Sequence, residues 1–184
     1  MKGIFNSLVI ITSLFVLTLT LKAQERIITP EMKFEGRIKP GDYFKSDSLE
    51  VFEGTWQWAS ADSIFTLELR KGKISNGSIS FDAIFGRFSF SVGNKIQFDG
   101  IYEGIDNLSG NSNRNEPIGK LKIFLSDPIK GKSGQGIFEL SAENSNIAYW
   151  EIGNSPGIHV VPEGKKWDPG FSIPTKMTLH RIIE

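Results

Sequence analysis

Two histidines, His159 and His180, are the only imidazoles in a chain of 184 residues that has no cysteine. They stand 21 positions apart, with no H-E-x-x-H and no thiolate partner, so their spacing offers no zinc site. The oxygen-rich stretch DNLSGNSNRNE (Asp106–Glu116) lacks the D-x-D-x-D-G spacing of a calcium loop and reads as a solvated hairpin loop. Gly131-Lys132-Ser133 has no glycine five residues before it, so the phosphate-binding loop pattern fails. G-x-S-x-G is absent, which removes the nucleophile elbow. No metal, cofactor or catalytic set is expected, and the chain reads as a non-enzyme. Paired carboxylates are not legible in one dimension, so a hydrolase stays open.

Binding chemistry is better represented. Trp56 and Trp58 stand two positions apart in VFEGTWQW, and the stretch from Gly153 to Lys176 carries His159, Trp167 and four prolines. A connection of that length is far above the usual, and such loops are commonly functional. Trp58, His159 and Trp167 are the candidate ligand-binding residues.

The elements that position these residues are strands. In Val51–Trp58, Phe52, Gly54, Trp56 and Trp58 share one face, so the two indoles are neighbours there. A helix would separate them by about 200°. Alternation recurs around Phe65–Arg70, in ISFDAIFGRFSFSV with Gly86 as an expected bulge or bend, and in KIQFDGIYEG after the Gly93–Asn94 turn. It continues in GKLKIFLS, GQGIFELSA, NIAYWEIG and KMTLHRII, where Arg181 shares a face with Met177 and Leu179. No amphipathic helix stands out between Val51 and Glu184. Eight short strands joined mostly by hairpin-length loops predict an all-β, antiparallel up-and-down barrel that closes on itself. A Greek-key sandwich is the alternative, because periodicity does not give strand order.

Three regions follow. Residues 1–23 carry one early lysine, Lys2, then an apolar stretch ending near Leu21, and close on Ala23, as a cleaved signal peptide would; an uncleaved anchor is the alternative. Residues 24–50 are polar, contain Pro30 and Pro40, and read as an irregular N-terminal arm outside the barrel. Residues 51–184 form the barrel domain. Removing residues 1–23 takes away Lys2 and Lys22 and leaves 19 basic against 21 acidic residues, a balance with nothing to attract nucleic acid. No later segment is apolar for long enough to span a membrane as a helix. A periplasmic or secreted protein is expected.

FEGTWQW together with the terminal PTKMTL resembles a family of exported, functionally uncharacterised proteins of Bacteroidota-type bacteria, over about residues 50–182. In that family a G-T-W strand opens the domain and a P-x-x-x-T-L strand closes it. More distantly, Gly54-Thr55-Trp56 is similar to the opening of lipocalin-like and avidin-like barrels. Ala59–Asp62 has no room for the two helices of fatty-acid-binding barrels, and Trp58 stands where avidin-like barrels place a biotin-contacting asparagine. The lipocalin resemblance implies that a late arginine, here Arg181, packs over Trp56 at the closed base of the barrel.

In a meander, the loops at Ala59–Asp62, Gly93–Asn94, Asp127–Ser133 and Gly153–Lys176 share one end, which Trp58 faces. The expected function is an exported binding protein carrying a small apolar or sugar-like ligand in the barrel mouth. The alternative is a solid barrel acting as a module for an extracytoplasmic protein or glycan. The bulky inward set of Trp56, Trp58, Phe65, Phe98, Phe138 and Trp150 narrows any cavity.

Overall fold

A computed structural model describes residues 25–29, 36–111, 117–155 and 168–183. Eleven strands occur among them: β1 (Arg26–Ile28), β2 (Asp42–Phe44), β3 (Gly54–Ala59), β4 (Ser63–Ser75), β5 (Ile79–Val92), β6 (Lys95–Asp99), β7 (Leu108–Asn111), β8 (Lys120–Asp127), β9 (Lys132–Leu140), β10 (Ile147–Asn154) and β11 (Lys176–Ile182). A 3-10 helix, Asp47–Phe52, precedes β3. Strands β3, β4, β5, β7, β8, β9, β10 and β11 pair in that order, each antiparallel to the next, and β11 returns to β3. The fold is a closed eight-stranded up-and-down barrel, consistent with a lipocalin-like one, and no sandwich forms.

The count of eight agrees with the sequence reading, but one member differs. KIQFD, read as a barrel strand, is β6, a hairpin extension that among the described residues pairs only with β5. The eighth barrel strand is β7, inside the stretch read as a solvated loop. Its inward positions are Leu108 and Gly110, and a Cβ at Gly110 would come within 2.9 Å of the Leu121 side chain. A strand of four residues with a glycine at one of its two inward sites leaves no apolar alternation to read. Strand β5 makes the arrangement possible through its length. One edge pairs with β4 throughout, and the other serves β2 at Ile79–Phe81, β7 at Ile84–Gly86 and β6 from Ser89 to Val92.

Gly86 keeps the β4–β5 register, and the expected irregularity falls between Phe90 and Ser91 opposite β6. A Cβ at Gly86 would meet Leu69 and Leu108, each at 2.9 Å, so glycine lets two leucines close over it. After β6 comes one helical turn, α1 (Gly100–Glu103), begun by the Asp99 carboxylate accepting from the Tyr102 N–H and ended by Gly104 at φ 69°.

The N-terminal arm is more regular than its prolines suggest. Strands β1 and β2 pair in parallel and extend the sheet from β5, while Leu49 and Phe52 of the 3-10 helix enter the core at 1% exposure. Polar contacts dock the arm. Arg26 bridges the buried Asp42 at 2.5 Å, and Tyr43 donates to Asp82 at 2.5 Å, which pushes the Tyr43 hydroxyl up to about 12. Inside the barrel, Trp56, Phe65, Phe88, Phe138 and Trp150 are buried in ring-to-ring contact at 5.0–5.6 Å between centroids.

Candidate binding site at the barrel mouth

Antiparallel alternation brings the start of β3 and the end of β11 to one end of the barrel, here the base. Register sets Arg181 opposite Trp56, and the guanidinium carbon lies 4.2 Å from the indole centroid. Arg181 donates to the Val51 carbonyl at 2.6 Å and to that of Glu53, while the Trp56 N–H donates to the Phe52 carbonyl at 3.0 Å. Partial burial draws the guanidinium below its ordinary pKa. Gly54 makes the arrangement fit: its φ is 125°, which favours glycine, and a Cβ there would stand 3.1 Å from an Arg181 nitrogen.

At the opposite end the inward alternation of three strands finishes in polar residues. Leu121, Ile123 and Leu125 lead to Asp127; Phe138, Gly136 and Gly134 lead to Lys132; Trp150 and Ile152 lead to Asn154. All three hold the descending leg of the long loop. Asp127, fully buried, accepts from the Ser172 N–H at 2.7 Å and hydroxyl at 2.6 Å, and from the Ile129 and Lys130 N–H groups at 3.1 Å. Lys132 donates to the Asp168 carbonyl at 2.9 Å and to Asn154, whose amide donates to the Pro169 carbonyl at 3.1 Å. Outside this ring Lys130 bridges Asp168 at 2.6 Å.

What these bonds hold is apolar. Phe171 lies where Gly134 has no side chain, since a Cβ there would come within 2.5 Å of the ring, and Lys132 stands 4.4 Å from the ring centroid. Ile173, 3% exposed, joins the core. Residues 168–173 thus stopper the mouth with two hydrophobic side chains. Among the described residues, the buried Trp150 N–H and both polar atoms of the Asn107 amide have no hydrogen-bond partner. Buried polar groups ordinarily find one.

Of the residues singled out from sequence, Trp58 is half-buried, opposite Phe65 and packed on the core. His159 and Trp167 lie outside the described residues, as does the segment 1–23. His180 points outward on β11, and among the described residues no three acidic or histidine side chains gather as a metal site requires. Sequence reasoning missed Asp127, Lys132, Asn154 and Phe171. A usable signal was present, because the first three continue inward alternations for one more step.

No curated protein and no solved structure matches the chain. A family model matches residues 1–117, from the apolar N-terminal segment through the arm and the first barrel strands to just past β7. Over that span, more than half its length, the chain belongs to DUF6705, a family of unknown function.

Proposed function

We propose that this chain is an exported, non-catalytic binding protein of Bacteroidota type that takes a small, largely apolar ligand at the barrel mouth. On this reading residues 168–173 act as the gate. The observation that carries the reading is the stopper: Phe171 and Ile173 occupy the mouth but are held by polar bonds to strand ends. A ligand that displaces them gains the same apolar contacts, and polar latch groups are readily solvated when released. Trp58 forms part of the wall, and the Trp150 N–H offers one donor to a ligand acceptor. A leg already packed on the core sets the affinity, because any ligand must outcompete it.

The filled interior favours a second reading, in which the barrel is solid and binds a protein or glycan by its surface. Eight strands enclose either a packed core or one small ligand, and the lower layers are packed here. Native mass spectrometry of protein purified from its own host separates the two. A co-purifying small molecule whose release changes wild-type fluorescence, but not that of Trp58→Phe, supports the carrier. Protein that is ligand-free and unresponsive to apolar probes leaves the surface module standing. N-terminal sequencing of the exported protein tests export, with Gln24 as the expected first residue.

A further inference from the structure

The outer wall holds a concavity of about 180 Å³ across β3, β4 and β5, walled by Thr55, Glu68, Arg70, Phe85, Arg87 and Asp106. Gly54 and Gly86 contribute only backbone to its floor. That volume is below the roughly 300–1,000 Å³ of pockets for drug-sized ligands, and suits a single ring.

Its charges are arranged unusually. Arg70 and Arg87 share one carboxylate, Asp106, at 2.5 and 3.5 Å. Glu68 stands directly opposite Arg87 in the β4–β5 register, yet the two form no ion pair. Among the described residues the half-buried Glu68 carboxylate has no hydrogen-bond partner, and the Arg87 guanidinium donates no hydrogen bond. Both therefore keep bonding capacity directed at whatever occupies the pocket. The remaining contact is apolar, from Phe85 beneath the Arg70 guanidinium at 5.2 Å.

We infer that this pocket is a second binding site, independent of the mouth, for one sugar ring, free or at the end of a glycan. Two guanidiniums and two carboxylates balance, so neither an inorganic anion nor a cation finds excess charge to attract it. An apolar ligand would strand four charged groups. An uncharged polyol fits both halves. Each hydroxyl donates to Glu68 or Asp106 and accepts from Arg87 or Arg70, and the part of Phe85 that lines the pocket beside the Arg70 guanidinium meets the ring's C–H groups.

The test is saturation-transfer-difference NMR of the full exported chain with the methyl glycosides of glucose, galactose, mannose, fucose and N-acetylglucosamine, together with amide chemical-shift mapping of the same chain with those glycosides and, separately, with inorganic phosphate. At least one glycoside should receive transfer. Arg87→Ala and Glu68→Gln should each weaken its binding by about tenfold or more, the scale of a lost hydrogen bond to a charged group. Lys95→Ala, an exposed change outside both sites, should leave it unchanged. Circular dichroism identifies a variant that fails to fold, and the conservative Glu68→Gln keeps the test decisive if Arg87→Ala does so. No transfer from any glycoside overturns the inference. So does binding that survives both variants, or phosphate shifting the pocket amides while the sugars do not.

Discussion

At the base of the barrel, Trp56 is completely buried, its N–H is satisfied by the Phe52 carbonyl, and Arg181 covers its face. At the mouth, Phe171 and Ile173 fill the opening, but Asp127, Lys130, Lys132 and Asn154 hold them there. The base is closed by residues of β3 and β11, so opening it means breaking the ladder that closes the barrel. The mouth is closed by a loop leg whose ties are mainly side-chain bonds to strand ends. Free energies of local opening vary widely within one domain, and elements with few ladder bonds lie at the low end. Hydrophobic residues close both ends, but only the mouth can open with the sheet intact.

The largest expected effect comes from emptying the base. Trp56→Ala should lower stability by about 3–5 kcal/mol, the range for large aromatic truncations in a core. Phe171→Ala should cost clearly less, since its ring is only partly buried and the leg can settle over the space. Urea unfolding of both variants measures the difference. Equal costs would mean that the mouth is as permanent as the base.

Asp127→Asn attacks the latch. The amide brings a donor to a place where four donors already converge, and hydrogen bonds to a charged group contribute about 1.5–3 kcal/mol. Amide exchange should quicken at Gly170 and Ser172 while β3 and β11 keep their protection. Equal quickening in all three would show that Asp127 supports the whole barrel, and the contrast between the ends would fail.

How much of this was legible follows from which residues speak in one dimension. The paired tryptophans, the glycine before them and the alternating runs disclosed strands, closure and the inward faces, because period two survives wherever inward residues are apolar. Strand β7 was hidden because Gly110 replaces an apolar side chain at a point of close packing. The arm's docking was hidden too, since neither Asp42 in the arm nor Asp82 in a strand shows a partner until Arg26 and Tyr43 meet them across 16 and 39 residues. The latch was half-legible. Parity points Asp127, Lys132 and Asn154 inward, but only the return of residues 168–172 explains polar residues there. Arg181 over Trp56 was anticipated from a barrel resemblance, and the contact itself depends on the β3–β11 register.

That contact sharpens the comparison from the base side. A double-mutant cycle of Arg181→Ala with Trp56→Phe should show coupling of about 0.5–2 kcal/mol, toward the upper end because the indole is fully desolvated. Arg181 also donates to two carbonyls, so its single variant should cost more than the coupling alone. Additive losses would mean that the guanidinium serves those carbonyls and gains nothing from the ring.

The smallest effect belongs to the outermost tie of the mouth, Lys130 to Asp168. The Lys130 hydrogen bond, followed by that from the Gly170 N–H, holds the Asp168 carboxyl below the usual carboxylate range. A depressed carboxyl contributes stability above its unfolded value of about 3.9, and loses that contribution as pH falls through the lower folded value. The tie should therefore be constant from neutral pH down to about 5 and loosen only below about 4. The Gly170 amide resonance reports this titration directly. In Lys130→Ala its midpoint should rise toward the ordinary value, and 1 M salt should move the wild type part of the way, because the screening length falls to about 3 Å. Urea stability should hardly change, as is usual for an exposed ion pair. A midpoint that ignores both the variant and the salt would show that backbone bonds alone hold Asp168. The latch would then consist of Asp127, Lys132 and Asn154 without an ionic outer tie.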